Sequence, residues 1–244
     1  DPSGPIKKAQ QLAARAFGAE QTFFVTNGTS TANKIVVQSI ITPGDVVLVD
    51  RNCHKSHHYA LVLGGARVTY LDSYPLDQFS MYGAVPLATI TQCLREYRQQ
   101  RRLDHVEMLS LTNCTFDGIV YDVERVMHEC LAIKPDLVFL WDEAWFAFAG
   151  FHPIYRRRTA MAAARRLQQR YRSAQYAEEY AAAQSAGGQD EAGPLPDPDK
   201  VRIRVYATQS THKTLTALRQ GSMIHVFDES FQHLNEEAFD EAYM

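Results

Sequence analysis

Four short segments of this chain gather residues capable of chemistry, and each follows an apolar run. The first is Thr26-Asn27-Gly28-Thr29-Ser30-Thr31. Glycine permits close backbone approach, and hydroxyls beside free helix N–H groups suit a phosphate; the same residues also make an ordinary helix N-cap. It matches neither GxGxxG nor GxxxxGK, so it is no dinucleotide or P-loop fingerprint. The second is Asp50-Arg51-Asn52-Cys53-His54-Lys55-Ser56-His57-His58. His54 could lie flat on a planar ligand, or the segment could be an exposed polar helix start. A zinc site is a weaker reading, because the adjacent His57 and His58 of a helix point in different directions and no HExxH spacing is present. In the third, Asp142 and Glu143 follow the apolar residues Leu140-Trp141. An acid there is costly to bury unless a cation meets it, and a protonated pyridine nitrogen is one such cation; a helix cap is the alternative. The fourth is Thr208-Gln209-Ser210-Thr211-His212-Lys213-Thr214. Lys213 among small polar residues is placed for Schiff-base formation, for phosphate binding, or simply for the surface.

The elements that must carry these segments alternate. Strands are predicted at residues 22–26, 46–50, 68–72, 106–111, 137–141, 203–207 and 222–226. Several are unbroken Val/Ile/Leu/Phe runs, as expected of strands buried on both faces. Helices are predicted at 7–17, 31–40, 55–63, 87–101, 123–133 and 159–183. This rhythm predicts an α/β fold, a three-layer α/β/α sandwich around a mostly parallel seven-stranded sheet. Residues 156–200 break it: an Ala/Arg/Gln/Tyr-rich stretch to 183 reads as one long solvent-facing helix, and 185–200 as a mobile Gly/Pro/Asp loop. Together they read as an insertion within a single domain, 1–244.

Composition narrows the function classes. With 244 residues and a net charge of −3, the chain has no global basic field pointing to nucleic acid. Its Arg-rich stretches, 98–102 and 156–172, read as solvated helix faces. The four cysteines form no CxxC pair, which points to a reduced, cytoplasmic setting without bound metal. No apolar run approaches the roughly 20 residues of a membrane span, and no signal peptide is expected. The chain begins at Asp1 rather than Met and is expected to be a fragment of something longer.

Taken jointly, the four segments have one economical explanation. A phosphate cradle, a flat aromatic, a buried acid and a lysine occur in that order, each after a predicted strand. Ligands of open α/β sheets collect at the carboxyl ends of strands. Pyridoxal 5'-phosphate (PLP) needs all four: phosphate anchoring, ring stacking, a carboxylate for the pyridine nitrogen and an amine for the aldehyde.

The segments also resemble the Orn/Lys/Arg decarboxylases, PLP enzymes of fold type I with aspartate-aminotransferase-like large domains. The matching words are Asn27 to Lys34, Asp50 to Ser56, Thr112-Asn113 with Thr115 to Gly118, Thr208 to Lys213, Ser222 to Val226 and Glu241 to Met244. The resemblance covers nearly the whole chain except about residues 156–200, a segment longer than is usual for the family. It implies that Lys213 carries PLP, Asp142 pairs with the pyridinium nitrogen and His54 stacks on the ring. It further implies that Thr29, Ser30 and Ser210 hold the phosphate, that His212 lines the site beside the lysine, and that Trp145 lies near the cofactor. Thr112 and Asn113 are expected on a strand end facing the same crevice. The implied reaction is decarboxylation of a basic amino acid (arginine, lysine or ornithine) in a homodimer or higher homo-oligomer. The resemblance also implies an N-terminal region and a C-terminal domain, which are expected to lie outside this sequence. An aminotransferase or lyase could use the same anchoring residues, and so could a catalytically silent PLP-binding homologue; product analysis separates these.

Overall fold

A computed structural model describes residues 4–185, 195–231, 239 and 242–243. The elements run α1 (Gly4–Phe17), β1 (Gln21–Val25), α2 (Gly28–Ile40), β2 (Val46–Asp50), α3 (Lys55–Leu63) and β3 (Arg67–Leu71). A two-stranded hairpin follows, β4 (Pro75–Leu76) and β5 (Met81–Tyr82), and then α4 (Leu87–Gln99), β6 (Val106–Thr112), α5 (Val123–Leu131) and β7 (Val138–Asp142). The last elements are α6 (Ala160–Tyr171), α7 (Ala174–Ser185), β8 (Arg204–Ser210), the single turn α8 (Thr211–Thr214) and β9 (Ser222–Asp228).

The seven-stranded sheet has the order β1-β9-β8-β7-β6-β2-β3. It is parallel from β8 to β3, while β9 lies antiparallel to both of its neighbours. Two antiparallel pairings in succession leave β1 pointing the same way as β8. The carboxyl ends of β1, β2, β6, β7 and β8 therefore share one edge with the amino end of β9. The predicted three-layer sandwich is the architecture found.

Strand alternation sorts the side chains into two cores. Val46, Leu48, Leu109, Leu111, Phe139, Trp141, Val205 and Ala207 pack on one face with α4, α5 and α6. Val47, Val49, Met108, Val138, Leu140 and Tyr206 pack on the other with α2 and α3. Successive strand residues point to opposite faces, and the same parity decides where each polar residue at the strand ends goes.

Residues 156–185 differ from the predicted single solvent-facing helix. Helix α6 buries Ala160, Met161, Ala163, Ala164, Leu167 and Tyr171 in the sheet's core. Alanine at three of these positions lets the helix approach closely, while its Arg and Gln residues face outward; the outer face dominates the sequence pattern. The helix ends at Tyr171, and the Ser173 hydroxyl between the two helices accepts from the Tyr176 N–H at 3.2 Å and donates to the Arg170 carbonyl at 2.7 Å, restarting the chain as α7. Part of the loop expected at 185–200, residues 186–194, lies outside the described residues, as do Glu241 and Met244.

Candidate active site

The strand-end edge encloses a cavity of about 410 Å³, within the usual range for small-molecule sites. Thr29, Ser30, His54, Asp142, Trp145, Ser210, His212 and Lys213 all line it. Four segments far apart in the chain thus meet in one place.

One end of the cavity is built of hydroxyls. Thr29 Oγ1 is hydrogen-bonded to Ser210 Oγ and lies 3.3 Å from Ser222 Oγ. Ser222 sits opposite Ser210 in the β8–β9 register. The amino end of α2 opens here: the Gly28 N–H donates to the Gln220 carbonyl at 2.8 Å, and Asn27 makes no side-chain cap to the turn that follows, which carries Thr29 and Ser30. Gly28 holds φ +74°, and a Cβ there would meet Gln220 Oε1 at 2.9 Å. A side chain at this position would be strained and crowded.

At the other end stands Asp142, buried at the tip of β7. Its Oδ1 accepts from the Ala144 N–H at 3.0 Å, and its Oδ2 accepts from Asn33 Nδ2 at 3.1 Å and His57 Nε2 at 2.9 Å. Burial alone would raise this carboxyl, but the hydrogen bond and charge interaction with His57, helped by Ala144 and Asn33, hold it below the ordinary aspartate range. A carboxylate offers about four acceptor positions, so three bonds leave one for a donor in the cavity.

A polar network supports that carboxylate from the α2–α3 face. His57 Nδ1 lies 3.1 Å from Ser110 Oγ, and Thr208 Oγ1 donates to Asn33 Oδ1 at 2.6 Å. Asn33 Nδ2 also donates to Ser56 Oγ at 3.0 Å, and that hydroxyl lies 2.9 Å from His54 Nδ1. His54 itself caps α3, its Nδ1 accepting from the Ser56 N–H at 3.2 Å. The three histidines of this segment diverge: His54 faces the cavity, His57 faces Asp142, and His58 Nδ1 meets the Tyr70 hydroxyl at 3.2 Å.

Lys213 rises from α8 with its Nζ 4.5 Å from the centroid of the Trp145 ring. Desolvation lowers its pKa, and the charge of Asp142 opposes that shift. Desolvation also lowers His54. The His212 ring is tied back, its Nδ1 lying 3.0 Å from the Gly221 carbonyl. Phe116 meets the edge of Trp145 at 5.4 Å.

Thr112 and Asn113 part company. Thr112 lines the cavity, and its buried Oγ1 has no hydrogen-bond partner. Asn113, expected in the same crevice, faces away from it, donating to Glu143 Oε1 at 2.8 Å and to the Arg158 carbonyl at 3.0 Å. Adjacent strand residues cannot share a face. Sequence reasoning also missed Asn33, His57, Ser110, Thr208 and Ser222 as parts of this site. Strand parity was the available signal for Ser110 and Thr208, which share the face of Asp142.

The cavity fits PLP on every count the group demands: hydroxyls with a helix amino end, an imidazole, a buried ionised acid, a desolvated amine and an orphaned hydroxyl in need of a partner. Comparison with known proteins decides the relationship. The model of the Orn/Lys/Arg decarboxylase major domain matches residues 1–189 and 188–244. The chain belongs to this family. It is 36% identical over its whole length to the lysine decarboxylase LdcA of Pseudomonas aeruginosa, covering 28% of that protein. The solved structure of lysine decarboxylase A from the same organism superposes on 99% of the chain with a TM-score of 0.70 at 35% identity, and the chain covers 28% of it. The biodegradative arginine decarboxylase of Escherichia coli is 32% identical over the full chain, again with 28% of that protein covered. A multiple substrate aminotransferase from Thermococcus profundus shares the fold alone, at 10% identity and TM-score 0.58 over 98% of the chain and 49% of that structure. The chain thus spans a little over a quarter of the length of the decarboxylases it matches.

Proposed function

We propose that this chain is the PLP-binding large domain of a decarboxylase acting on a basic amino acid (lysine, arginine or ornithine), releasing carbon dioxide and the corresponding amine. The observation that carries the reading is the meeting of Lys213 and Asp142 in one cavity, a desolvated amine facing a buried carboxylate held ionised. Family membership supports the reaction class, and the lysine and arginine decarboxylases among the relatives support the substrate class.

Bound here, PLP would supply an electron sink for the pair released when the Cα–carboxylate bond breaks. The chain's own residues do the rest. Lys213 Nζ is the amine that would attach the cofactor. Asp142 Oδ holds a proton at the ring nitrogen, and His57 and Asn33 keep that carboxylate charged and aimed. His54 would stack on the ring. Thr29, Ser30 and Ser210, at the amino end of α2, would bind the phosphate. His212 and Trp145 border the reacting amine, and Phe116 helps exclude water at the mouth. A homo-oligomer goes with this reading through the family resemblance, and four free cysteines suit a reducing cytoplasm.

Borohydride reduction of the purified full-length protein, followed by peptide mass mapping, tests the assignment. A pyridoxyl adduct on Lys213 is expected; an adduct on another lysine would overturn it. Product analysis tests the reaction, since a keto acid in place of carbon dioxide and a diamine or agmatine would indicate transamination.

A further inference from the structure

Each strand end that carries a cavity residue also carries a buried polar neighbour on the opposite face: Asn113 beside Thr112, Glu143 beside Asp142, and Gln209 beside Ser210. These neighbours are joined. The Glu143 carboxyl is fully buried and receives three N–H donors, Asn113 Nδ2 at 2.8 Å and the Ala160 backbone at 2.8 Å on Oε1, and Gln209 Nε2 at 2.9 Å on Oε2. The chain of bonds continues across the sheet. Gln209 Oε1 lies 3.0 Å from His225 Nε2, and His225 Nδ1 lies 2.8 Å from Thr22 Oγ1.

Three donors around one carboxyl suit the ionised form, and the amino end of α6 at Ala160 adds a favourable dipole. A proton on Glu143 would need an acceptor. The Ala160 donor is backbone and cannot change. The Asn113 amide is pinned, because its other Nδ2 proton goes to the Arg158 carbonyl and its Oδ1 accepts from the Tyr121 N–H at 3.2 Å. Gln209 can respond by turning its amide over. Its oxygen would then accept from Glu143, its nitrogen would donate to His225 Nε2, and His225 would move its ring proton to Nδ1 and donate to Thr22. The bonds linking Glu143, Gln209, His225 and Thr22 are all kept in both arrangements, and the two differ by one proton.

We propose that Glu143 is a positioning residue, whose single proton selects between two complete hydrogen-bond patterns beneath the strand ends that carry Thr112, Asp142 and Ser210. Gln209 lies between Thr208, which holds Asn33, and Ser210, which holds Thr29, so the flip acts on both ends of the cavity. Burial, opposed by these donors, raises Glu143 to about 7, which puts the exchange near neutral pH. The titratable groups facing it are Asp142 on its own strand end, Cys114 beyond β6, and His225 on β9 through Gln209. Its effect on the cofactor end rests on the proposed PLP reading; the exchange itself does not.

The test uses the full-length protein with ¹⁵N-labelled histidine. The His225 signal is assigned by its loss in His225→Asn. In the unaltered protein without cofactor, His225 should carry its proton on Nε2 at pH 8 and on Nδ1 at pH 6. Glu143→Gln can donate but not ionise, so it should hold the Nδ1–H form at both. PLP affinity should differ between pH 8 and pH 6 by about fivefold or more, a typical coupling between sites, and should not differ in Glu143→Gln. A single His225 tautomer from pH 6 to 8 in the unaltered protein would overturn the proposal, and that measurement needs no variant to fold. A tautomer shift in a protein that takes up no PLP would support the exchange and count against the functional reading alone.

Discussion

His57 donates through Nε2 to Asp142 Oδ2 at 2.9 Å, and both side chains are shut off from water. The acceptor is a carboxylate, so the proton belongs to the histidine, and Ser110 behind it fixes the ring from the other side. Hydrogen bonds to charged groups contribute about 1.5–3 kcal/mol. His57→Leu is therefore expected to let the Asp142 carboxyl rise and to cut kcat/KM of the parent enzyme by about 10- to 100-fold, at about 1.4 kcal/mol per decade. Carbon dioxide release by the purified variant checks this. A rate within about twofold of the unaltered protein would mean that Asp142 needs no such support.

Thr112 separates stability from binding. Its buried hydroxyl has no partner in the folded protein yet borders the cavity. Removing an unsatisfied polar group costs the fold nothing and can stabilise it by about 1 kcal/mol. Thr112→Val should unfold in urea at the same or a higher midpoint while binding PLP several-fold more weakly. Equal affinity for PLP would show that the hydroxyl has no ligand to meet.

Lys213 and Trp145 make a prediction with a definite sign. Desolvation lowers the lysine below its ordinary pKa, while the aromatic face 4.5 Å from its Nζ favours the charged form. Removing the ring in Trp145→Leu should lower the Lys213 pKa further, leaving the amine nucleophilic at more acidic pH. Competitive labelling with an amine-directed reagent across a pH series reads this at residue 213. An upward shift would mean that water entering the space left by the indole outweighs the lost ring face.

Much of this site was legible in the sequence because its residues sit where apolar runs stop. Asp142 and Lys213 each follow such a run closely, and the rule that ligands gather at strand ends placed them together. The support behind them was less legible. His57 and Asn33 lie on helices that face the sheet, and only the packing of α2 and α3 brings both within reach of one carboxylate oxygen. Asn113 was misplaced because a strand end was treated as one surface although its successive residues alternate. Helix α6 was misread for a similar reason: alanines carry little hydrophobic signal, so the Arg and Gln on its outer face set its apparent character while its alanine face packed on the sheet.

The buried pair Glu143 and His225 gives the fold a pH dependence that hides itself. Burial raises Glu143 from 4.5 to about 7 and lowers His225 from 6.5 to about 3. Glu143 takes up its proton more readily folded than unfolded, so its contribution is full below about pH 4.5 and is lost as pH rises through about 7. His225 resists its proton when folded, so its contribution is present above about pH 6.5 and is lost as pH falls toward about 3. Each slope is about 1.4 kcal/mol per pH unit, and between about pH 4.5 and 6.5 they oppose one another. Single substitutions should unmask them. Relative to the unaltered protein, His225→Gln should lose stability as pH rises from about 4.5 toward 7, and Glu143→Gln should lose stability as pH falls below about 6.5. Urea unfolding at closely spaced pH values reads both slopes. If the two variants tracked the unaltered protein across that window, neither group would titrate as its burial requires.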